Sequence, residues 1–148
     1  MTSFNDQMST LIEDALTSKL AAWLNDNRPA EIPVSVPIQV ANRDELRSRP
    51  CIVLATSETK PIPAMRHTAR LKLDIHLFTQ VDDTPIADHA NWAVALVNVL
   101  AGIQTLKTAL DSESFCLHDL LLRDSSTVPD ETRGRETVIS YEPVVSAV

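Results

Sequence analysis

Apolar and polar residues alternate most regularly between Ala69 and Thr79. There Leu71, Leu73, Ile75 and Leu77 interleave with Arg70, Lys72, Asp74 and His76. Side chains on a strand point to opposite faces with period two, so this run predicts a strand with one greasy and one charged face. The strand is expected over Arg66–Gln80, well beyond the usual ~5–6 residues, and so to project from its sheet or to bend. A break at Gln80–Pro85 precedes a helix predicted from Ile86 to Ala101. Ala93, Leu96, Val97 and Leu100 form its inward stripe, widened by Trp92, Val99 and Ile103. Asp88, His89, Asn91 and Asn98 are assigned to its polar side. Thr84 is the expected cap, Pro85 suits the first helical position, and Gly102 marks the end.

The rest of the chain is read around this pair. From Ser3 to Asn27, residues Met8, Leu11, Ile12, Ala15, Leu16, Leu20, Trp23 and Leu24 recur at helical spacing, and Pro29 stops the helix. Ala30–Pro37 is rich in proline, which removes backbone donors, and predicts an extended connection or at most an edge strand. Ala41–Pro50, with Arg43, Arg47 and Arg49, reads as a solvated loop or as a contact surface for an acidic neighbour. Cys51–Thr56 is continuously apolar, the mark of a central strand buried on both faces. Ser57–Met65, with Pro61 and Pro63, predicts a long loop to the charged strand. Ile103–Asp111 extends the second helix as a short third one. Ser114–Arg123 predicts another strand, Ser125–Arg135 a polar turn or finger, and Glu136–Val145 the last strand, with Pro143 at a sheet edge or beyond the pairing.

The predicted order is α-β-β-α-β-β. It gives one α+β domain over residues 1–148: a four-stranded, mainly antiparallel sheet with two main helices packed on one face. That arrangement leaves Arg70, Lys72, Asp74 and His76 facing water or another subunit.

Composition narrows the function more by exclusion than by indication. Only two glycines are present, Gly102 and Gly134, which excludes phosphate-cradling loops and dinucleotide-binding turns. The net charge of −7 disfavours general nucleic-acid binding and leaves room for a local basic patch. Cys51 and Cys116 lie in apolar runs and read as reduced, buried thiols of a cytosolic protein. The N-terminus is polar and acidic, so no signal peptide is expected, and no apolar run reaches the ~18 residues that a membrane span needs.

No catalytic motif emerges. His67, His76, His89 and His118 lack the spacing of a helical zinc pair or a finger. If the strands carrying Asp74, His76 and His118 paired, a two-His, one-carboxylate metal site would form. Solvated residues on an exposed sheet face are the simpler expectation. No nucleophile elbow occurs, and both cysteines sit in settings that disfavour a thiolate. No catalytic, cofactor or metal residues are therefore assigned, and the chain is read as a non-enzyme.

The element order carries a resemblance. An amphipathic helix precedes two strands, and Arg70–Phe78 feeds a helix through Asp82-Asp83-Thr84-Pro85. The chain then closes with Leu117–Arg123, a polar excursion, and Thr137-Val138-Ile139-Ser140-Tyr141. This resembles the tail terminator and related neck or tail-completion proteins of tailed bacteriophages, over roughly Met8 to Val145. Pro29–Pro50 does not match the family pattern. The resemblance implies a subunit that assembles into a ring, commonly hexameric, at the head-proximal end of the tail. Such a ring ends tail-tube polymerisation and joins the tail to the head connector. Genome DNA passes through it without specific binding, and it resides in the virion after assembly in the host cytoplasm. Its implied partners are its own copies, the tail tube protein and the connector. The residues expected at subunit or tube contacts are Arg66, Arg70, Lys72, Asp74, His76, Arg133 and Arg135, together with the segments Ser57–Met65 and Ser125–Arg135. The competing expectation is a small adaptor or immunity-type binding module; a metal-dependent enzyme is the third.

Overall fold

The computed structural model describes residues 6–40, 50–62, 65–101, 103–110, 115–129 and 134–147. Its elements are α1 (Asp6–Asp26), β1 (Ile38–Val40), β2 (Cys51–Ile62), β3 (Met65–Gln80), α2 (Ile86–Leu100), α3 (Ile103–Leu110), β4 (Phe115–Pro129) and β5 (Gly134–Ala147). The α+β class holds, but the sheet has five strands, in the order β1-β2-β3-β5-β4. The extra strand, β1, pairs parallel to β2, and every other pairing is antiparallel.

The charged strand, β3, is the centre of the sheet. It pairs with β2 from Cys51↔Phe78 to Ile62↔Met65, and with β5 from Thr68↔Ser146 to Gln80↔Gly134. It therefore does not project: partners flank it along most of its length. Its alternation fixes the layering. Leu71, Leu73, Ile75 and Leu77 enter one core with Ile52 and Leu54 of β2, Ile139 and Tyr141 of β5, and Phe115 and Leu117 of β4. The helices supply the other half of this core. Ile12, Leu16, Leu20 and Leu24 of α1 recur every four residues, joined by Trp92, Leu96 and Leu100 of α2 and by Leu106 and Leu110 of α3. Each such side chain contributes about 1.5–3 kcal/mol by leaving water. β2 is buried on both faces as its apolar run predicts, because Cys51 and Val53 form a second small cluster with Phe78.

Three segments depart from the sequence pattern. Ala30–Pro37 is not extended. Two successive turns close through Ile32 N–H to the Pro29 carbonyl (3.0 Å) and Val36 N–H to the Pro33 carbonyl (3.0 Å). Each proline lacks a donor but still accepts, and each turn delivers a buried residue, Ile32 or Val36, to the core. The Arg28 guanidinium ties the segment down by donating to the carbonyls of Pro33 (2.8 Å) and Val36 (2.7 Å). The expected loop Ser57–Met65 is mostly strand, since β2 continues to Ile62 through register shifts that absorb its irregularity. The expected finger Ser125–Arg135 is likewise a hairpin, with β4 reaching Pro129 and β5 starting at Gly134. The basic stretch 41–49 lies outside the described residues.

Pro143 falls in β5, an internal strand rather than an edge. A proline cannot donate to a ladder and survives inside a sheet only beside irregularities. The sheet shows them: β5 and β3 are paired at Arg70↔Val144 and again at Leu73↔Tyr141, with no pair between, and β4 shifts register between Leu117 and Asp119.

At the start of α2, Pro85 is itself the cap residue (φ −60°, ψ 148°), and no side chain caps the helix. The N–H groups of Asp88 and His89 donate to its carbonyl. Thr84, the expected cap, is buried instead.

Candidate interaction surface

All three helices cover one side of the sheet, so the even-numbered residues of β3 are left on the other. The register sets their neighbours. Asp74 stands beside Ser140 of β5, whose hydroxyl donates to Asp74 Oδ1 at 2.7 Å. His76 Nδ1 lies 2.7 Å from Glu136 Oε1, and its ring stacks on Phe78 at 5.8 Å between centroids. Farther along, Glu142 of β5 pairs with Arg123 of β4 and, at 3.8 Å, with Arg70 of β3. Arg70 and Arg123 are each about half exposed, so these pairs contribute at most about 1 kcal/mol apiece to stability.

A depression of about 390 Å³ opens at this place, lined by Arg70, Leu71, Lys72, Arg123, Ser140, Tyr141 and Glu142. It lies where the β3–β5 ladder lapses beside Pro143. The gap between the two strands lets Leu71 and Tyr141, residues of the helix-covered side, reach its floor. Three cations line it against one carboxylate, and Asp74 reaches its rim through Ser140. Two guanidiniums share Glu142, and Lys72 is exposed with no carboxylate partner among the described residues. Such an arrangement accepts further carboxylates, because each guanidinium carries five donors, and one carboxylate, with about four lone-pair sites, cannot satisfy the donors of two guanidiniums.

Of the residues expected to act together, the structure gathers Arg70, Lys72, Asp74 and His76 in one row. Arg66 belongs to β3, but its side chain lies outside the described residues, as does Arg133 entirely. Arg135 is placed apart. It projects to the helix side, where its guanidinium donates to the Thr84 carbonyl at 2.8 Å and lies 3.4 Å from Thr79 Oγ1. The constellation of Asp74, His76 and His118 does not form. β5 separates β3 from β4, and His118 instead bonds Ser146, six positions along β5 from Ser140 or about 20 Å away. Among the described residues no group of three His, Cys, Asp or Glu side chains is gathered in a way that could hold a metal ion. Cys51 and Cys116 share no disulfide, and Cys116 is only half-buried rather than buried.

Arg135 belongs to a second polar group that the sequence reading misassigned. His89, placed on the polar side of α2 by its chemistry, is 2% exposed. Its Nδ1 lies 2.6 Å from Thr79 Oγ1 and its Nε2 2.7 Å from Thr137 Oγ1, which in turn bonds Thr127. Burial pushes the imidazole pKa below its ordinary value, and the nearby Arg135 charge pushes the same way. Neutral His89 thus fastens the start of α2 to β3 and β5. The signal was present: the stripe Trp92, Leu96, Leu100 extends back by three residues to His89.

No protein-family model matches the chain, and no curated protein matches it significantly.

Proposed function

We propose that the chain is a structural subunit of a bacteriophage tail, a tail terminator or neck protein. In this reading it forms a ring at the head-proximal end of the tail tube, ends tube polymerisation and joins the tail to the head connector. The observation that supports it most is the face of the sheet opposite the helices, away from the buried cluster of Cys51, Val53 and Phe78. There a central strand paired on both flanks presents Arg70, Lys72, Asp74 and His76 on a broad, open surface, the form of a protein contact rather than of an enclosed reaction chamber. The net charge of −7 suits a conduit through which DNA passes without being held. The partners in this reading are other copies of the chain, the tail tube protein and the connector, in a virion assembled in the host cytoplasm. A membrane has no part in it, and no helix among the described residues is long and apolar enough to cross one.

The test is native mass by light scattering across a concentration series, followed by sedimentation with purified tail tubes. A discrete species of about 98 kDa, six chains of 16.3 kDa, supports a closed ring. Binding to tube ends supports the terminator role. A monomer at every concentration that also ignores tail tubes overturns the reading, and a stable one-to-one complex with an unrelated protein replaces it with an adaptor.

A further inference from the structure

The depression beside the middle of β3 and the turn after β3 are complementary surfaces. At the first, Arg70, Lys72 and Arg123 surround the single carboxylate of Glu142, and half-buried Leu121 and Val144 add apolar surface beside it. At the second, Asp83 and Asp88 are exposed next to two large apolar side chains, Val81 at 45% and Ile86 at 61% exposure. The apolar side of this knob continues along α2 through exposed Ala90 and Val94, each four residues on. A helix so poor in charge on its outward side is characteristic of one that is covered in an assembly.

Lys72 and Gln80 are separated by eight residues of β3, about 26 Å of strand. The socket opens on the face of the sheet opposite the helices, whereas α2 packs on the other face. A chain therefore cannot place its own knob in its own socket. We infer that the socket of Arg70, Lys72 and Arg123 receives the Asp83/Asp88 knob of a second copy of this chain, in a head-to-tail contact. Charge complementarity selects the copy: three cations line the socket against the one carboxylate of Glu142, with Asp74 and Asp124 beyond them beside Ser140, and the knob offers two carboxylates framed by apolar surface. Because the two patches differ, the contact is heterologous and repeats around a ring or along a filament. The inference rests on the self-associating reading above and gives it a specific junction.

Two charge-reversal variants test it. The socket variant is Lys72→Glu with Arg123→Glu, and the knob variant is Asp83→Lys with Asp88→Lys. All four residues are exposed, and thermal melts verify that each variant folds. Each variant alone is expected to stay monomeric, its self-association weakened roughly tenfold or more. Mixed one to one, they are expected to associate again, since the intact knob of one variant meets the intact socket of the other, and the two reversed patches are once more of opposite charge. Neutral variants, Lys72→Gln with Arg123→Gln, separate loss of attraction from repulsion and are expected to weaken assembly less than reversal does. Wild-type assembly that survives both reversals overturns the junction and leaves the ring reading standing. Loss in the socket variant alone overturns the assignment of Asp83 and Asp88. A wild-type chain that never self-associates overturns both.

Discussion

Replacing His89 with leucine tests how α2 is held to the sheet. The ring makes two buried hydrogen bonds, to Thr79 and to Thr137. A buried hydrogen bond contributes about 1 ± 0.5 kcal/mol net, so losing both costs about 2 kcal/mol near pH 7.5. Two features keep the cost from rising higher. Thr137 retains Thr127 at 2.7 Å, and leucine refills most of the vacated volume with apolar atoms. The pH dependence carries the sharper test. His89 is held below 6.5 in the folded chain, first by burial and then by Arg135, while in the unfolded chain it titrates near 6.5. Between those two values the unfolded state binds a proton that the native state does not. Wild-type stability is therefore full above about pH 7 and falls as pH drops below 6.5, with a limiting slope of about 1.4 kcal/mol per pH unit until the folded pKa is reached. The leucine variant lacks this slope. Urea melts of both proteins at intervals from pH 8 to pH 5 should show the wild-type advantage shrinking on acidification. A gap that stays constant would mean that His89 does not titrate differently in the two states. A gap that widens would mean that the native state prefers the imidazolium, and either result would refute a neutral His89 joining two hydroxyls.

Four further outcomes follow from other parts of the fold. Tyr141 is 4% exposed, its hydroxyl has no hydrogen-bond partner among the described residues, and burial pushes its pKa up to about 12. Tyr141→Phe should leave stability unchanged or raise it by up to ~1 kcal/mol in denaturant melts, and a loss larger than that would reveal a partner. Arg28→Ala should cost about 1–2 kcal/mol and speed amide exchange at Ile32 and Val36, because it removes the guanidinium from two carbonyls of the proline turns. Ile75→Ala, in the middle of β3 and fully buried, should cost about 2–5 kcal/mol with an unchanged denaturant slope if the core stays otherwise intact. On the edge strand β4, Asp119 and Asp124 each accept the N–H of the next residue, Leu120 and Ser125. Replacing both with alanine should release those donors and raise turbidity on concentration, measured against the wild type.

What the sequence makes legible here is whatever depends on local period. The alternation of β3 and the four-residue spacing of α1 are properties of consecutive residues, and burial follows them directly. His89 shows where residue chemistry misleads: its spacing matches Trp92 and Leu96, but a histidine is expected in water, and only the hydroxyls of Thr79 and Thr137, brought from two strands, make its burial tolerable. β1 is three residues long, too short to show a period, and its parallel pairing depends on where β2 lies. The socket is the least legible part, because it is a product of register. Arg123 and Glu142 are 19 positions apart and meet only because β4 shifts against β5, and Arg70 joins them only because β5 pairs with β3.

Pro143 connects these points. As a residue type it argues for an edge, and that inference fails because the sheet tolerates it by giving up ladder pairs on one side and shifting register on the other. The place where β3 and β5 part is the place where Arg70, Lys72 and Glu142 surround an open depression and where Tyr141 shows its edge from the far side. A backbone irregularity that looks like a cost to the sheet thus coincides with an open depression on the face opposite the helices. If the proline causes the lapse, Pro143→Val, which restores a backbone donor to β5, should tighten the β3–β5 pairing. Amide exchange at Leu71 and Lys72 should then slow, and head-to-tail association through the Arg70 socket should weaken although none of its charges has changed. Slower exchange with undiminished association would separate the groove from the junction. Unchanged exchange would show that the lapse in the ladder has a cause other than the proline.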